Sequence, residues 1–133
     1  MLFYSTNLIA APVPFNDALL KGLAPDKGLY MPEYIPRLEK EEILAFTDME
    51  YPEIAFRIAR KFLQGVISDE ELLTITRDAY DYEVPLEHVV DRKYVMRLDQ
   101  GPTASFKDFA ARMMGRLMQH YLNHGKRKLL ILT

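Results

Sequence analysis

Apolar positions recur with a helical period from residue 38 to 80 and in shorter, strand-like runs on either side. Tyr51 to Leu63 sets Ile54, Ala55, Ile58, Ala59 and Phe62 along one face, which predicts an amphipathic helix. Pro52 suits its first turn and Gly65 its end. Ser68-Asp69-Glu70-Glu71 has the spacing of a capping box, so a further helix carrying Leu72, Leu73, Ile75 and Tyr80 is expected after Ser68. Leu38 to Phe46 predicts a shorter, acidic helix. Before these, Leu2 to Tyr4 favours a strand and Ser5-Thr6-Asn7 a turn. Phe15 to Leu23 predicts a helix with Asn16 as its cap and Gly22 near its end. Pro25 to Gly28 predicts a turn, and Leu29 to Met31 a short strand that Pro32 cannot extend into a central strand.

After residue 80 the pattern changes. Residues 81–93 read as a polar connection around Pro85, and Tyr94 to Leu98 as a strand. Gln100 to Thr103 predicts a tight turn. Ser105 to Asn123 predicts the strongest helix of the chain, closed by Gly125, and Leu129 to Leu132 predicts a buried strand. Phe106, Phe109, Ala110, Met113, Leu117 and Tyr121 form one stripe of that helix, widened by Ala111, Met114 and Met118. A polar edge of Asp108, Arg112, Arg116, Gln119 and Asn123 completes it. So apolar a helix belongs inside a layered α/β structure. The expected fold is mixed α/β, with a helical N-terminal domain bearing short strands over residues 1–90 and a strand-helix-strand unit over 91–133.

Composition narrows the function classes. The chain has 133 residues, of which 49 % are hydrophobic, so a core can form and disorder is not expected. Seventeen basic and 19 acidic residues give a net charge of −2, which offers no footprint for nucleic acid or an anionic membrane. No cysteine is present, which removes disulfides, thiolate metal sites and cysteine nucleophiles. No secretory pattern and no apolar run long enough for a membrane span is visible, so a cytoplasmic protein is expected. His88, His120 and His124 are too scattered to make a metal site.

Candidate chemistry concentrates in Leu98 to Ala110, where a strand, a glycine turn and a helix with Lys107 in its first turn follow one another. Gly101 suggests a backbone conformation closed to other residues, Pro102 fixes the turn, and Ser105 is placed to cap the helix. An ammonium at the positive end of a helix dipole is disfavoured, and burial among Phe106, Phe109, Met113 and Met114 disfavours it further. Asp108 acts in the other direction. A lysine driven toward neutrality is a nucleophilic amine. Taken alone, a lysine at a helix start is ordinarily a solvated charge. The conjunction with the glycine turn raises the reactive reading without naming a cofactor.

Gly101-Pro102-Thr103-Ala104-Ser105-Phe106-Lys107-Asp108-Phe109 closely resembles the pyridoxal-phosphate (PLP) lysine motif of threonine synthases, fold-type II PLP enzymes. Tyr4-Ser5-Thr6-Asn7 and the run Ala18 to Glu33 resemble the N-terminal signature of the same family. The resemblance implies that Lys107 binds PLP as a Schiff base and shuttles protons. It implies that Phe106 packs beside the cofactor and that Asp108 positions the lysine. The implied reaction is the lyase chemistry that converts O-phospho-L-homoserine and water to L-threonine and phosphate. Asp99 and Gln100 stand where many members carry an aromatic residue and a histidine, which leaves open a threonine-synthase-like phospholyase. A non-catalytic accessory or interaction domain is the other alternative, although such a module has no need of Lys107. In the family a glycine-rich loop that binds the PLP phosphate follows the strand matched by Leu129 to Thr133. The chain is therefore expected to be an inactive N-terminal fragment that either self-associates through its exposed C-terminal elements or leaves the residues after about 93 partly disordered.

Overall fold

The computed structural model describes residues 1–123 and Leu130. The fold is mixed α/β. Strands β1 (Leu2–Ser5), β2 (Val13–Pro14) and β3 (Tyr30–Pro32) form an antiparallel sheet in the order β2-β1-β3. Phe3 pairs with Val13 and Pro32, and Ser5 with Tyr30. Pro14 and Pro32 both lie on edge strands, where a missing N–H breaks no ladder. Helix α1 (Phe15–Lys21) starts straight from Pro14, so Asn16 falls inside the first turn and does not cap it. Gly22 ends the helix at φ 72°, a conformation that favours glycine.

The Ser5-Thr6-Asn7 turn is more than a chain reversal. Ser5 is fully buried, and its hydroxyl donates to Asp26 Oδ1 at 2.6 Å. Asp26 also accepts from the backbone N–H groups of Ile9, Ala10 and Gly28 at 3.1, 2.8 and 3.0 Å. Asn7 donates its side-chain amide to the Asp26 carbonyl, and Thr6 Oγ1 accepts from Leu29 N–H. A Cβ on Gly28 would overlap Ser5 Oγ, so the two signature segments fit only with glycine there.

The Ser5 hydroxyl first, and then the Ala10 amide, push the Asp26 carboxyl down to about 2. Unfolding restores an ordinary aspartate value of about 3.9, so the unfolded chain binds the extra proton. The contribution of this carboxylate to stability is complete above about pH 4 and falls as pH drops toward 2. Urea titrations at several pH values should show wild type losing more stability across that window than Asp26→Asn does. Equal losses would contradict the assignment.

Helix α2 (Lys40–Ala45) is capped by Glu39, whose side chain and that of Glu42 each accept the other residue's backbone N–H. A 3-10 turn (Phe46–Asp48) leads to α3 (Tyr51–Leu63), with Pro52 in its first turn as expected. Helix α4 (Asp69–Ala79) is capped by Ser68, which accepts from Glu71 N–H. The Glu71 carboxylate takes the Ser68 hydroxyl at 2.6 Å.

The strand expected over Tyr94 to Leu98 forms as β5 (Lys93–Met96), but the stretch before it, expected to be a plain polar connection, contains a strand of its own, β4 (Leu86–Val90), and the two make a hairpin. Its strands pair residues from both sides of position 90. Helix α5 (Lys107–Asn123) then packs on α4 and α1. The core gathers Leu63, Ile67, Leu72 and Leu117, with Phe15, Phe56 and Met113 around them. The expected strand Leu129 to Leu132 and the stop at Gly125 lie outside the described residues, apart from Leu130, which is non-strand and exposed.

Gly115 lies on the exposed side of α5 with nothing within 4 Å of a Cβ built there. Interior helix glycine is less favourable than alanine by about 0.5–1 kcal/mol. Gly115→Ala should raise the stability of this chain by about that amount in urea denaturation; a loss would show that α5 is tighter there than the structure indicates.

Candidate active site

The approach to α5 is fixed by charge. Arg97 grips Asp99 through Nε and a terminal nitrogen at 2.8 and 2.7 Å, and reaches Glu87 on β4 at 2.6 Å. The guanidinium holds the Asp99 carboxyl well below the usual carboxylate range, helped by the Gln100 side chain at 3.1 Å. Asp99 therefore belongs to the framework of the loop.

The turn that follows closes with Ala104 N–H donating to the Gly101 carbonyl at 2.9 Å. Asp108 reaches back from α5 to bind it. Its Oδ2 accepts from Thr103 N–H at 2.9 Å and its Oδ1 from the Thr103 hydroxyl at 2.8 Å. Asp108 is only 4 % exposed. A Cβ on Gly101 would lie 2.5 Å from Asp108 Oδ2. Gly101 is thus required by close approach. It does not adopt positive φ, contrary to the expectation from sequence; Ala104 does, at 52°. Ser105 sits one position too early to cap α5 in the usual register, but its Oγ accepts from Lys107 N–H at 3.4 Å.

Lys107 opens α5, where its N-terminal placement was expected. Burial was not found. Lys107 is exposed and Phe106 is 65 % exposed. Helical spacing carries Lys107 onto the same side as Ala110, Ala111 and Met114, all exposed, while Phe109 and Met113 turn away toward the interior. Among the described residues Lys107 has no ion pair and no side-chain hydrogen bond.

The other side of α5 is held by α4 and the segment after it. Tyr51, Tyr80 and Tyr82 surround the Phe109 ring with centroids at 5.5, 6.0 and 5.5 Å. Tyr80 donates its hydroxyl to the Phe109 carbonyl at 3.0 Å. Burial, and secondarily its tyrosine neighbours, push the Tyr80 phenol up to about 12. Arg112 donates to the carbonyls of Ala79 and Asp78 at 2.7 and 3.0 Å and pairs with Asp81 at 2.5 Å. Its guanidinium stacks 5.7 Å above the Tyr82 ring. Arg116 pairs with Asp78. The arginines of the polar edge of α5 therefore face protein. Their partners Asp81 and Asp78 lie within one turn of each other, as the two arginines do, and this charge complementarity between the end of α4 and the edge of α5 is the trace of the contact in the sequence.

An open groove of about 900 Å³ lies beside Tyr51, Tyr82, Leu86 and Met96, and Phe106, Lys107 and Asp108 are not among its lining residues. Among the described residues no group of three or more His, Cys, Asp or Glu is placed to hold a metal ion.

Residues 2–80 match the family described as threonine synthase N terminus. The chain belongs to the threonine synthase family. Threonine synthase of Pseudomonas aeruginosa is 41 % identical over 127 residues, covering 92 % of this chain and 27 % of that protein. The PLP-bound threonine synthase of Brucella melitensis superposes with a TM-score of 0.87 at 34 % identity, over 93 % of this chain and 28 % of that one. The enzyme from Escherichia coli superposes with a TM-score of 0.85 at 27 % identity, over 92 % and 28 %. The chain thus spans little more than a quarter of the length of these relatives.

The residues present suit PLP. An aldehyde that condenses with an amine needs an accessible lysine without a competing carboxylate, and Lys107 meets both conditions. The nearest acid in sequence, Asp108, is occupied by the Thr103 turn. The exposed Phe106 ring offers an apolar surface beside the amine. Among the described residues no helix is long and apolar enough to cross a membrane.

Proposed function

We propose that this chain is the N-terminal part of a cytoplasmic threonine synthase that converts O-phospho-L-homoserine and water to L-threonine and phosphate. Residues 1–90 form the N-terminal domain in this reading, and residues 91–133 open the PLP-binding domain. The observation that carries it is the exposed, unpartnered Lys107 amine at the head of α5 in a chain of this family. PLP, when bound, supplies an electron sink for the charge left when a substrate proton is removed. Lys107 holds the cofactor and moves that proton through its Nζ atom. Phe106 presents an apolar face to the cofactor. Asp108 fixes the Gly101–Thr103 turn and with it the start of the helix that bears the lysine. The helical N-terminal domain supplies a packed platform for that helix. In this reading the reaction belongs to a protein of full family length, of which this chain spans little more than a quarter.

The test uses a protein of full family length that contains this chain. PLP-loaded protein is reduced with borohydride and digested, and the pyridoxyl adduct is located by mass spectrometry. The expected result is one adduct, on Lys107, in protein that makes threonine from O-phospho-L-homoserine. An adduct confined to another lysine would remove Lys107 from its role. Turnover of a different amino-acid phosphate ester in place of this one would move the protein to the phospholyase reading, which Asp99 and Gln100 keep in view.

A further inference from the structure

The underside of α5 is bound more specifically than apolar packing demands. Arg112 spends its guanidinium on the carbonyls of Asp78 and Ala79, which belong to the last turn of α4. Carbonyls there have no donor within their own helix. The same group pairs with Asp81 and lies over Tyr82, and its side chain is only 20 % exposed. One turn closer to Lys107, the Tyr80 hydroxyl holds the Phe109 carbonyl. Four consecutive backbone or side-chain partners, from Asp78 to Asp81, therefore grip α5 on the side away from Lys107. A helix held by directional bonds at two levels resists both sliding and rolling about its axis. Side chains reach about 5–6 Å from a helix axis, so a roll of about 10° moves a tip by about 1 Å. A misplacement of that size at a reacting group costs up to about 10²-fold in rate.

We propose that Arg112 is a positioning residue for Lys107, and that residues 78–82 hold α5 in the rotation that presents the lysine amine to its cofactor. This rests on the reading of Lys107 as the PLP lysine. The N-terminal domain then acts in catalysis through the geometry of one helix, without touching substrate.

The experiment uses PLP-loaded protein of full family length. Arg112→Met should lower kcat by about 10- to 100-fold with KM for O-phospho-L-homoserine within about twofold. The visible circular dichroism of bound PLP should fall while its absorbance stays, because the cofactor sits less uniformly. Arg112→Lys, which keeps a donor and the charge, should recover part of both. Tyr80→Phe leaves the rings in place and removes one hydrogen bond, so it serves if Arg112→Met does not fold; a loss of about threefold in kcat is expected. In the present chain, Arg112→Met should speed amide exchange at Asp108 and Phe109 while α3 keeps its protection. Unchanged kcat and dichroism in variants that fold would overturn the proposal, as would a parallel loss of thermal stability and activity without rescue by lysine. If wild type carries no imine at Lys107, both the functional reading and this inference fail; an intact imine with insensitive variants sinks this inference alone.

Discussion

Lys107→Ala, in a protein of full family length, is expected to lower threonine formation by roughly 10³-fold or more, because positioned proton transfer alone contributes about 10²–10⁴. The visible absorbance of the PLP imine should disappear with it. The fold should be almost indifferent. Lys107 is exposed and, among the described residues, makes no ion pair or side-chain hydrogen bond that its removal would break. Surface substitutions of that kind change stability by about 0.5 kcal/mol or less. The variant should therefore melt with wild type while losing its spectrum and its activity, a separation that a structural lysine would not produce. Lys107→Arg sharpens the comparison. It keeps a positive charge at the helix start but has no amine to condense with an aldehyde. Activity retained by Lys107→Arg would show that charge alone suffices and would refute the assignment.

The contrast between Lys107 and Asp108 explains why the sequence is only half legible here. Two adjacent ionisable residues open one helix, and the helical period sends them to opposite environments. Asp108 is buried against a turn that depends on Gly101 and Thr103. Lys107 is left open. The sequence reveals that a glycine turn precedes a helix start. It does not reveal that Gly101 is needed for the space beside Asp108, because close approach depends on how the helix folds back. The same limit hid the roles of Ser5 and Asp26, separated by 21 residues and joined by one short hydrogen bond.

Helix α3 was legible in both bounds because its signals are local: a proline in the first turn and an unbroken apolar stripe. Helix α2 begins two residues later than Leu38 because Glu39 performs a capping role usually given to shorter side chains. Strand β5 is legible in the sequence, but its partner β4 and the hairpin they make are not, for a different reason. A bulge between His88 and Val90 interrupts its register, and its turn places Asp91 at φ 53° without an Asn-Gly or Asp-Gly pair. Every residue of both strands is exposed, so no buried face imposes alternation. Likewise Arg112 and Arg116 mark a polar edge in the sequence, but only the position of α4 turns that edge into an interface.

Leu72→Ala should be the most damaging single truncation for the fold, costing about 3 kcal/mol within a usual range of 2–5 for such changes. Leu72 is 1 % exposed and belongs to the cluster that joins Leu63 and Ile67 to Leu117. It is the apolar contact through which α3, α4 and α5 share one core. Removing three carbons leaves a cavity bounded by helices that are tied at their ends by Arg112, Arg116 and Ser68, so they close on it only in part. The consequence is large because the core is thin. Leu98, Phe106, Val95 and Met96 are among many large apolar residues that remain exposed. A domain's whole margin is commonly about 5–15 kcal/mol, so this one change takes a substantial share. Urea denaturation should show a lower midpoint with an unchanged slope. Because Leu117 lies on the same helix as Lys107, amide exchange along α5 should rise with that along α4. Loss confined to α4, or a cost below about 1 kcal/mol, would mean that α5 is held by its arginines alone and that the shared core contributes little to the placement of Lys107.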